Sequence, residues 1–288
     1  MINFLKFKWL YFAISSIVIL SGIFSIGIWG YRYSVDFAGG TTIEYRLSKT
    51  INTSRLIRNL STQKISITDA RQNGNVLRIR SDALDQQKEG IVKKLILQED
   101  PKANLSQLTT VGPTIGKELF NKTIIAAIVA IVGILIYVSI AFKGLNFAFA
   151  AVLAMAHDFL VVIGSYSLMS HFLRAEVDAL FITALLTTMS FSVHDTIIIF
   201  DKIREYRKTE KKGNVESYAN RALTETIIRS INNSMTIIFV LLALSLLGGS
   251  TIRFFVITLL IGTITGTYSS PFVATPIWVF LEQKANRK

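Results

Sequence analysis

Ionisable and amide side chains interrupt otherwise apolar stretches of this chain at a few places: His157-Asp158, His194-Asp195, Arg229 and Asn232-Asn233. Charged groups inside apolar spans are costly, and each is a functional hypothesis by default. His194 and Asp195 stand about six residues before Asp201, about 9 Å along a helix from the basic end of their run. The next run keeps a clean apolar stretch only from Ser234 to Leu247, about 14 residues and too short to cross a bilayer. It must recruit Ile227–Asn233, which brings Arg229 to the depth of Asp195. The expected pair is therefore Asp195 with Arg229. One reading is a static buried ion pair between helices, destabilising to break because it leaves a lone charge. The other is a proton relay, in which Asp195 gains and loses a proton and so binds or frees Arg229. His194, with an unperturbed pKa near neutrality, is a candidate assistant, and a hydrogen-bonded helix-packing histidine is the competing reading. Asp158 is a second candidate carrier or a helix anchor.

The elements that must hold these residues follow from composition. Of 288 residues 51% are hydrophobic and only 17% charged, against roughly 25% in soluble proteins. Mean hydropathy is +0.46, so neither a purely soluble nor a disordered chain fits. The absence of cysteine excludes disulfides, thiolate metal sites and cysteine nucleophiles. Apolar runs occupy Trp9–Trp29, Thr123–Phe142, Leu145–Leu173, Val177–Phe200, about Ile227–Leu247 and Phe254–Leu281. Each approaches the roughly 20 residues that cross the hydrocarbon layer. The expected fold is a multi-pass α-helical membrane protein, with six transmembrane helices arranged as one plus five. The first run is longer than a signal-peptide core and lacks a small-residue cleavage site, so it reads as an uncleaved anchor.

Charge placement sets the expected orientation. The formal net charge is +12. Lys202, Arg204, Arg207, Lys208, Lys211, Lys212 and Arg221 crowd the segment 201–226. Lys284, Arg287 and Lys288 follow the last run, and Lys6 and Lys8 precede the first. Arg174 and Arg253 alone mark the opposite loops. The positive-inside rule then places both termini and a basic loop, 201–226, in the cytoplasm, with residues 31–122 outside. This accounts for the charge excess without nucleic acid. The expected parts are 1–30 (N-terminus and first helix), 31–122 (exported domain) and 123–288 (five-helix domain).

Within residues 41–111, Ile43, Tyr45 and Leu47 alternate with polar residues as in a half-buried strand. Ser54 is placed to cap a short helix carrying Leu56, Ile57 and Leu60. Strands follow at Ile65–Ile67 and Leu77–Ile79 around the Asn73-Gly74 turn, then a helix through Leu84–Leu95 and a strand near Leu105–Val111. The order β-α-β-β-α-β is the small ferredoxin-like α+β arrangement, which by itself names no function. No phosphate loop, metal cluster or Ser-His pair occurs in it. Gly262 and Gly266 predict close helix packing, and Pro271 and Pro276 a bend in the last span. Val215, Tyr218, Ala219, Ala222, Leu223 and Ile227 recur at helical spacing, predicting an amphipathic helix along the cytoplasmic membrane surface.

Several motifs then combine. Val35-Asp36-Phe37-Ala38-Gly39-Gly40-Thr41 and Val111-Gly112-Pro113-Thr114-Ile115-Gly116-Lys117-Glu118-Leu119 resemble signatures of the SecD/SecF family of protein-export membrane proteins, relatives of the resistance-nodulation-division transporters. His157-Asp158 is similar to that family's His-Asp. Phe191 to Thr196 with Phe200-Asp201-Lys202-Ile203-Arg204-Glu205, Gly248-Gly249 and Gly262–Ser270 continue the pattern on its SecF side. The resemblance implies a non-enzymatic accessory subunit of the bacterial Sec translocon in the cytoplasmic membrane. Its implied coupling ion is the proton, with no other cofactor. Its implied partners are SecD, the SecYEG channel, a membrane insertase, exported unfolded polypeptides and membrane lipids. It also assigns Asp195 and Arg229 to proton passage in late export. His194 departs from the family's asparagine, and Ser190-Phe191 from its Gly-Tyr. A non-conducting scaffold linking SecD or an insertase to SecYEG is the alternative. A drug-efflux half-transporter is disfavoured by the small exported domain.

Overall fold

The computed structural model describes residues 3–142, 144–209 and 214–286. In chain order, helix α1 (Lys8–Trp29) precedes β1 (Gly40–Arg46), α2 (Thr53–Thr62), β2 (Ile67–Asn73), β3 (Val76–Ser81), α3 (Gln86–Glu99) and β4 (Asn104–Val111). Then come α4 (Pro113–Ala141), α5 (Leu145–Phe172), α6 (Ala179–Thr209), α7 (Val215–Leu247), α8 (Arg253–Ser269) and α9 (Thr275–Ala285). Two units result, one Tyr33–Ile125 and the other the rest of the chain.

In the first unit the four strands lie antiparallel in the order β2-β3-β1-β4, the ferredoxin-like arrangement. Alternation places Ile43 and Tyr45 of β1 opposite Ile79 and Leu77 of β3. These four join Leu56 and Leu60 of α2 and Val92 and Ile96 of α3 in one buried core. The hairpin between β2 and β3 turns at Gly74, whose φ of +56° suits glycine. Helix α2 is capped by Asn52, whose side chain accepts from the Arg55 N–H at 3.0 Å, rather than by Ser54, which lies inside the helix. Asn52 has the extended backbone that a cap requires.

The two glycine-bearing motifs form one feature of this unit. Gly39 (φ +76°) and Gly40 (φ +120°) lead into β1. A Cβ on Gly39 would lie 2.8 Å from Pro113 Cα, and one on Gly116 would lie 2.9 Å from the Gly39 nitrogen. The start of α4 thus rests backbone against backbone on the loop before β1. The Phe37 and Phe120 rings, 5.4 Å apart, close the contact.

Asp100, after α3, accepts from the Ser48 N–H at 2.6 Å, the Ser48 hydroxyl at 2.7 Å and the Lys102 N–H at 3.1 Å. The Ser48 hydrogen bonds hold its carboxyl below the usual carboxylate range. A depressed folded-state value stabilises the fold fully above the unfolded value of about 4, and that contribution fades as pH falls through the lowered one. Acid titration of the full chain should show this loss in the unit Tyr33–Ile125 below about pH 4, and Asp100→Asn should flatten the profile there.

Among the described residues, six helices are long and apolar enough to cross a membrane. Half or more of the apolar window is buried for α5 (56%), α6 (50%) and the α8–α9 span (61%), but only 11–17% for α1, α4 and α7. The first three therefore form the centre, and the others turn Ile, Leu and Phe side chains outward, as a bilayer favours. Gly22 of α1 meets Gly164 of α5 so closely that a Cβ on Gly22 would lie 2.7 Å from Gly164 Cα. The Ser25 and Ser167 hydroxyls bond at 2.8 Å one turn on. Gly22→Leu should cost about 1–3 kcal/mol by overpacking, seen as a lower melting temperature in detergent. Gly262 packs on Thr188, and a Cβ on Gly266 would lie 3.0 Å from Ser192 Cα, the close approach expected of these glycines. Where the prolines predicted a bend, Ser270–Ala274 forms a π-helical turn between α8 and α9; such turns accommodate one extra residue.

The expected basic loop 201–226 is mostly helix. Helix α6 continues to Thr209 and α7 begins at Val215, because neither stretch contains a glycine or proline to stop it. Three of its cations are paired: Lys202 with Glu205 and Glu225, Arg204 with Asp201, and Arg207 with Glu282 at 2.7 Å. Lys211, Lys212, Arg287 and Lys288 lie outside the described residues. The amphipathic stretch is likewise no separate surface helix. Tyr218, Ala219, Ala222 and Leu223 pack into the bundle core with Phe200 and Trp278, since the apolar stripe stays in phase with the span it begins.

Candidate functional site

Asp158, 3% exposed, is the most fully bonded carboxylate of the bundle interior. His157 Nδ1 lies 2.8 Å from its Oδ1. The Ser269 hydroxyl donates to its Oδ2 at 2.6 Å, and the Ser192 hydroxyl donates to the same oxygen. His157 Nε2 in turn lies 2.9 Å from the Ser15 hydroxyl on α1. One side chain pair therefore ties α1, α5, α6 and α8 together. The π turn has a part in this, since Ser269 and Ser270 both face inward. Ser269 reaches Asp158, while the Ser270 hydroxyl lies 2.8 Å from that of Thr196. Desolvated polar groups need such partners, and this cluster supplies them.

Asp195, 5% exposed, stands one turn beyond Ser192 on α6. Its one hydrogen-bond partner among the described residues is the Ser230 hydroxyl of α7, which donates to Oδ2 at 2.7 Å. The expected ion pair with Arg229 is not formed: Arg229 is exposed, and the residue that α7 turns toward Asp195 is its neighbour Ser230. Adjacent helical residues point about 100° apart, so only one of the two can face α6. His194 is also exposed, while the carboxylate beside it is buried, for the same reason. The two histidine–aspartate pairs thus differ in kind. In the first both members are buried and bonded together, and in the second only the aspartate is inside.

Along α7 the polar line continues, with the Thr267 hydroxyl donating to that of Ser234 at 2.7 Å. Ser230, Ser234 and Thr267 border a cavity of about 250 Å³ whose other walls include Ile227, Ile231 and Phe272. Sequence reasoning singled out the carboxylates and missed their hydroxyl partners. Ser15, Ser192, Ser230 and Ser269 are unremarkable in an apolar run, and only the positions of Ser192 and Ser230 close to Asp195 and Arg229 offered a signal.

A bundle of apolar helices closed around two carboxylates, with a ferredoxin-like unit inserted between its first and second spans, defines a polytopic membrane protein with an ionisable centre. The family model described as protein export membrane protein SecD/SecF, C-terminal, matches residues 91–284, and that of the SecD/SecF GG motif matches residues 32–51. The protein translocase subunit SecF of Thermobaculum terrenum is 37% identical over 301 residues, covering 99% of this chain and 95% of its own. That of Anaerolinea thermophila is 38% identical over 98% of this chain and 94% of its own. The crystal structure of SecDF, a translocon-associated membrane protein from Thermus thermophilus, superposes with a TM-score of 0.87 at 30% identity over 98% of this chain. This chain spans 39% of that longer one. It belongs to the SecD/SecF family of protein-export membrane proteins, on the SecF side.

Proposed function

We propose that this chain is the SecF half of a proton-driven export motor. It works with a SecD partner beside the SecYEG channel, uses the proton-motive force to promote late steps of protein export, and performs no enzymatic chemistry. The observation that carries this reading is the unequal solvation of the two buried aspartates. Asp158 has three hydrogen-bond partners and anchors four helices. Asp195 has one donor, so it is the group that exchanges a proton. When it loses the proton, a turn of α7 by one residue exchanges Ser230 for Arg229 and neutralises the charge. When protonated, it returns to Ser230, and Arg229 leaves. His194 sits on the exposed face and tunes this exchange from outside. The relatives support the partner, since Bacillus subtilis carries a single SecDF chain of which this one matches 36% at 32% identity. The proposed setting is the bacterial cytoplasmic membrane, with both termini and the basic helix ends inside and Tyr33–Ile125 outside.

The test compares late export in membrane vesicles with and without the protein, before and after an uncoupler. The protein should accelerate export only while the gradient stands. An acceleration that survives the uncoupler would favour the scaffold linking SecD or an insertase to SecYEG.

A further inference from the structure

We propose that the cavity beside Ser230 is a lipid site, which takes one acyl chain of a membrane phospholipid. Its shape is set by α7. The lining residues of that helix run from Leu223 to Ile238 at helical spacing, a single stripe of about four turns. Facing them are α8 at Ile264 and Thr267 and the π turn at Pro271 and Phe272. Small side chains make the space, since Ser230, Ser234 and Thr267 stand where leucines would close it. A volume of about 250 Å³ spread along four turns, or about 22 Å of helix, is a narrow slot.

The mouth of the slot faces the bilayer. Ile231, Met235 and Ile264 line it, yet they are 45%, 36% and 50% exposed. They therefore form a rim on the outside of the bundle, where α7 has only 17% of its apolar window buried. At that depth the surrounding material is hydrocarbon.

Chemistry and size then select the occupant. Among the described residues no charged side chain lines the slot. Four hydroxyls do, and each is already in a hydrogen bond: Ser230 with Asp195, Thr267 with Ser234, and Tyr268 with the Tyr11 carbonyl. Nothing is left to hold an ion or a headgroup, and the walls suit a plain chain. The volume exceeds the roughly 150 Å³ that holds benzene and falls below the roughly 300 Å³ at which pockets for drug-sized ligands begin. A partner helix, about 10 Å across, is too thick to enter. Hydrocarbon gains nothing by leaving lipid for protein, so the chain is held by dispersion contact with both walls at once. Ser230 both lines the slot and donates to Asp195, so the bound chain lies against the residue that holds that carboxylate.

The test uses the full-length protein with its membrane partner in nanodiscs of phosphatidylethanolamine and phosphatidylglycerol. A trace of the phosphatidylglycerol carries a diazirine midway along one tail, and adducts are mapped by peptide mass spectrometry after irradiation. Tail adducts should fall on Ser234 and Thr267 inside the slot as well as on Phe239, which is 62% exposed on the outside of α7. Ser234→Leu fills the slot and should cut the Thr267 adducts about tenfold, leaving those at Phe239 unchanged. Ile227→Phe narrows the same slot and replaces Ser234→Leu if that variant melts at lower temperature than the wild type. Adducts confined to Phe239 and other outward residues would overturn the proposal, as would Thr267 adducts that the filling variant leaves in place. A free diazirine alkanol that labels Thr267 as strongly as the lipid would make the slot a pocket for any small apolar molecule and overturn the lipid assignment. The chain contains no cysteine, so Ser234→Cys reports on water. Slow reaction with a membrane-impermeant thiol reagent is expected, and fast reaction would make the slot an aqueous crevice and overturn the proposal.

Discussion

Asp195→Asn should fold, assemble and leave export at the level of membranes that lack the protein, with no response to the proton-motive force. Asparagine keeps the shape of the side chain, and its carbonyl oxygen still accepts from Ser230, which in the wild type donates to Asp195 at 2.7 Å. What it removes is the ability to gain and lose a proton. Asp158→Asn should act differently, because that carboxylate meets His157, Ser192 and Ser269 at once. An amide presents one acceptor oxygen where two were used, and the unmatched buried partners should cost about 1–3 kcal/mol. The paired measurement is a detergent melt beside a gradient-dependent export assay. Asp158→Asn is expected to lower the melting temperature, and Asp195→Asn to leave it unchanged while abolishing the gradient response. A normal gradient response in the Asp195→Asn protein would remove Asp195 from the relay.

Gly40→Val should produce the largest loss of stability in the unit Tyr33–Ile125. Gly40 has φ +120°, which a β-branched residue rarely adopts, and its added Cβ would lie 2.6 Å from the Ser81 carbonyl oxygen. Backbone strain and overpacking together cost roughly 2–5 kcal/mol, a large share of a domain's stability. The obstructing atom is backbone on the paired strand β3, so no side-chain rotation relieves the contact. Limited proteolysis of the full chain should show cleavage within Tyr33–Ile125 at lower temperature than in the wild type. Gly90→Ala is the contrasting control. Gly90 lies in α3 with open space around its added Cβ, so alanine should stabilise by up to about 1 kcal/mol. Comparable damage from both substitutions would refute the role given to Gly40.

The sequence by itself determined the six spans, because the hydrocarbon thickness imposes a length and polarity that can be counted residue by residue. It determined the β-α-β-β-α-β order, because alternation and turn residues are local. It also picked out Asp158 and Asp195, since charge in an apolar run is visible without coordinates. Tertiary structure alone decided which groups meet them. Ser230 rather than Arg229 faces Asp195, because the rotation of α7 about its axis is set by packing along its whole length and depth alone does not specify it. The coupling of Asp158 to Ser15 and Ser269 joins residues 143 and 111 positions apart in the chain. The meeting of Gly22 with Gly164 likewise depends on how two helices cross. The segment 201–226 shows the same limit from the other side. Its charges and stripe read as a cytoplasmic loop carrying a surface helix, while the bundle core captured that apolar stripe.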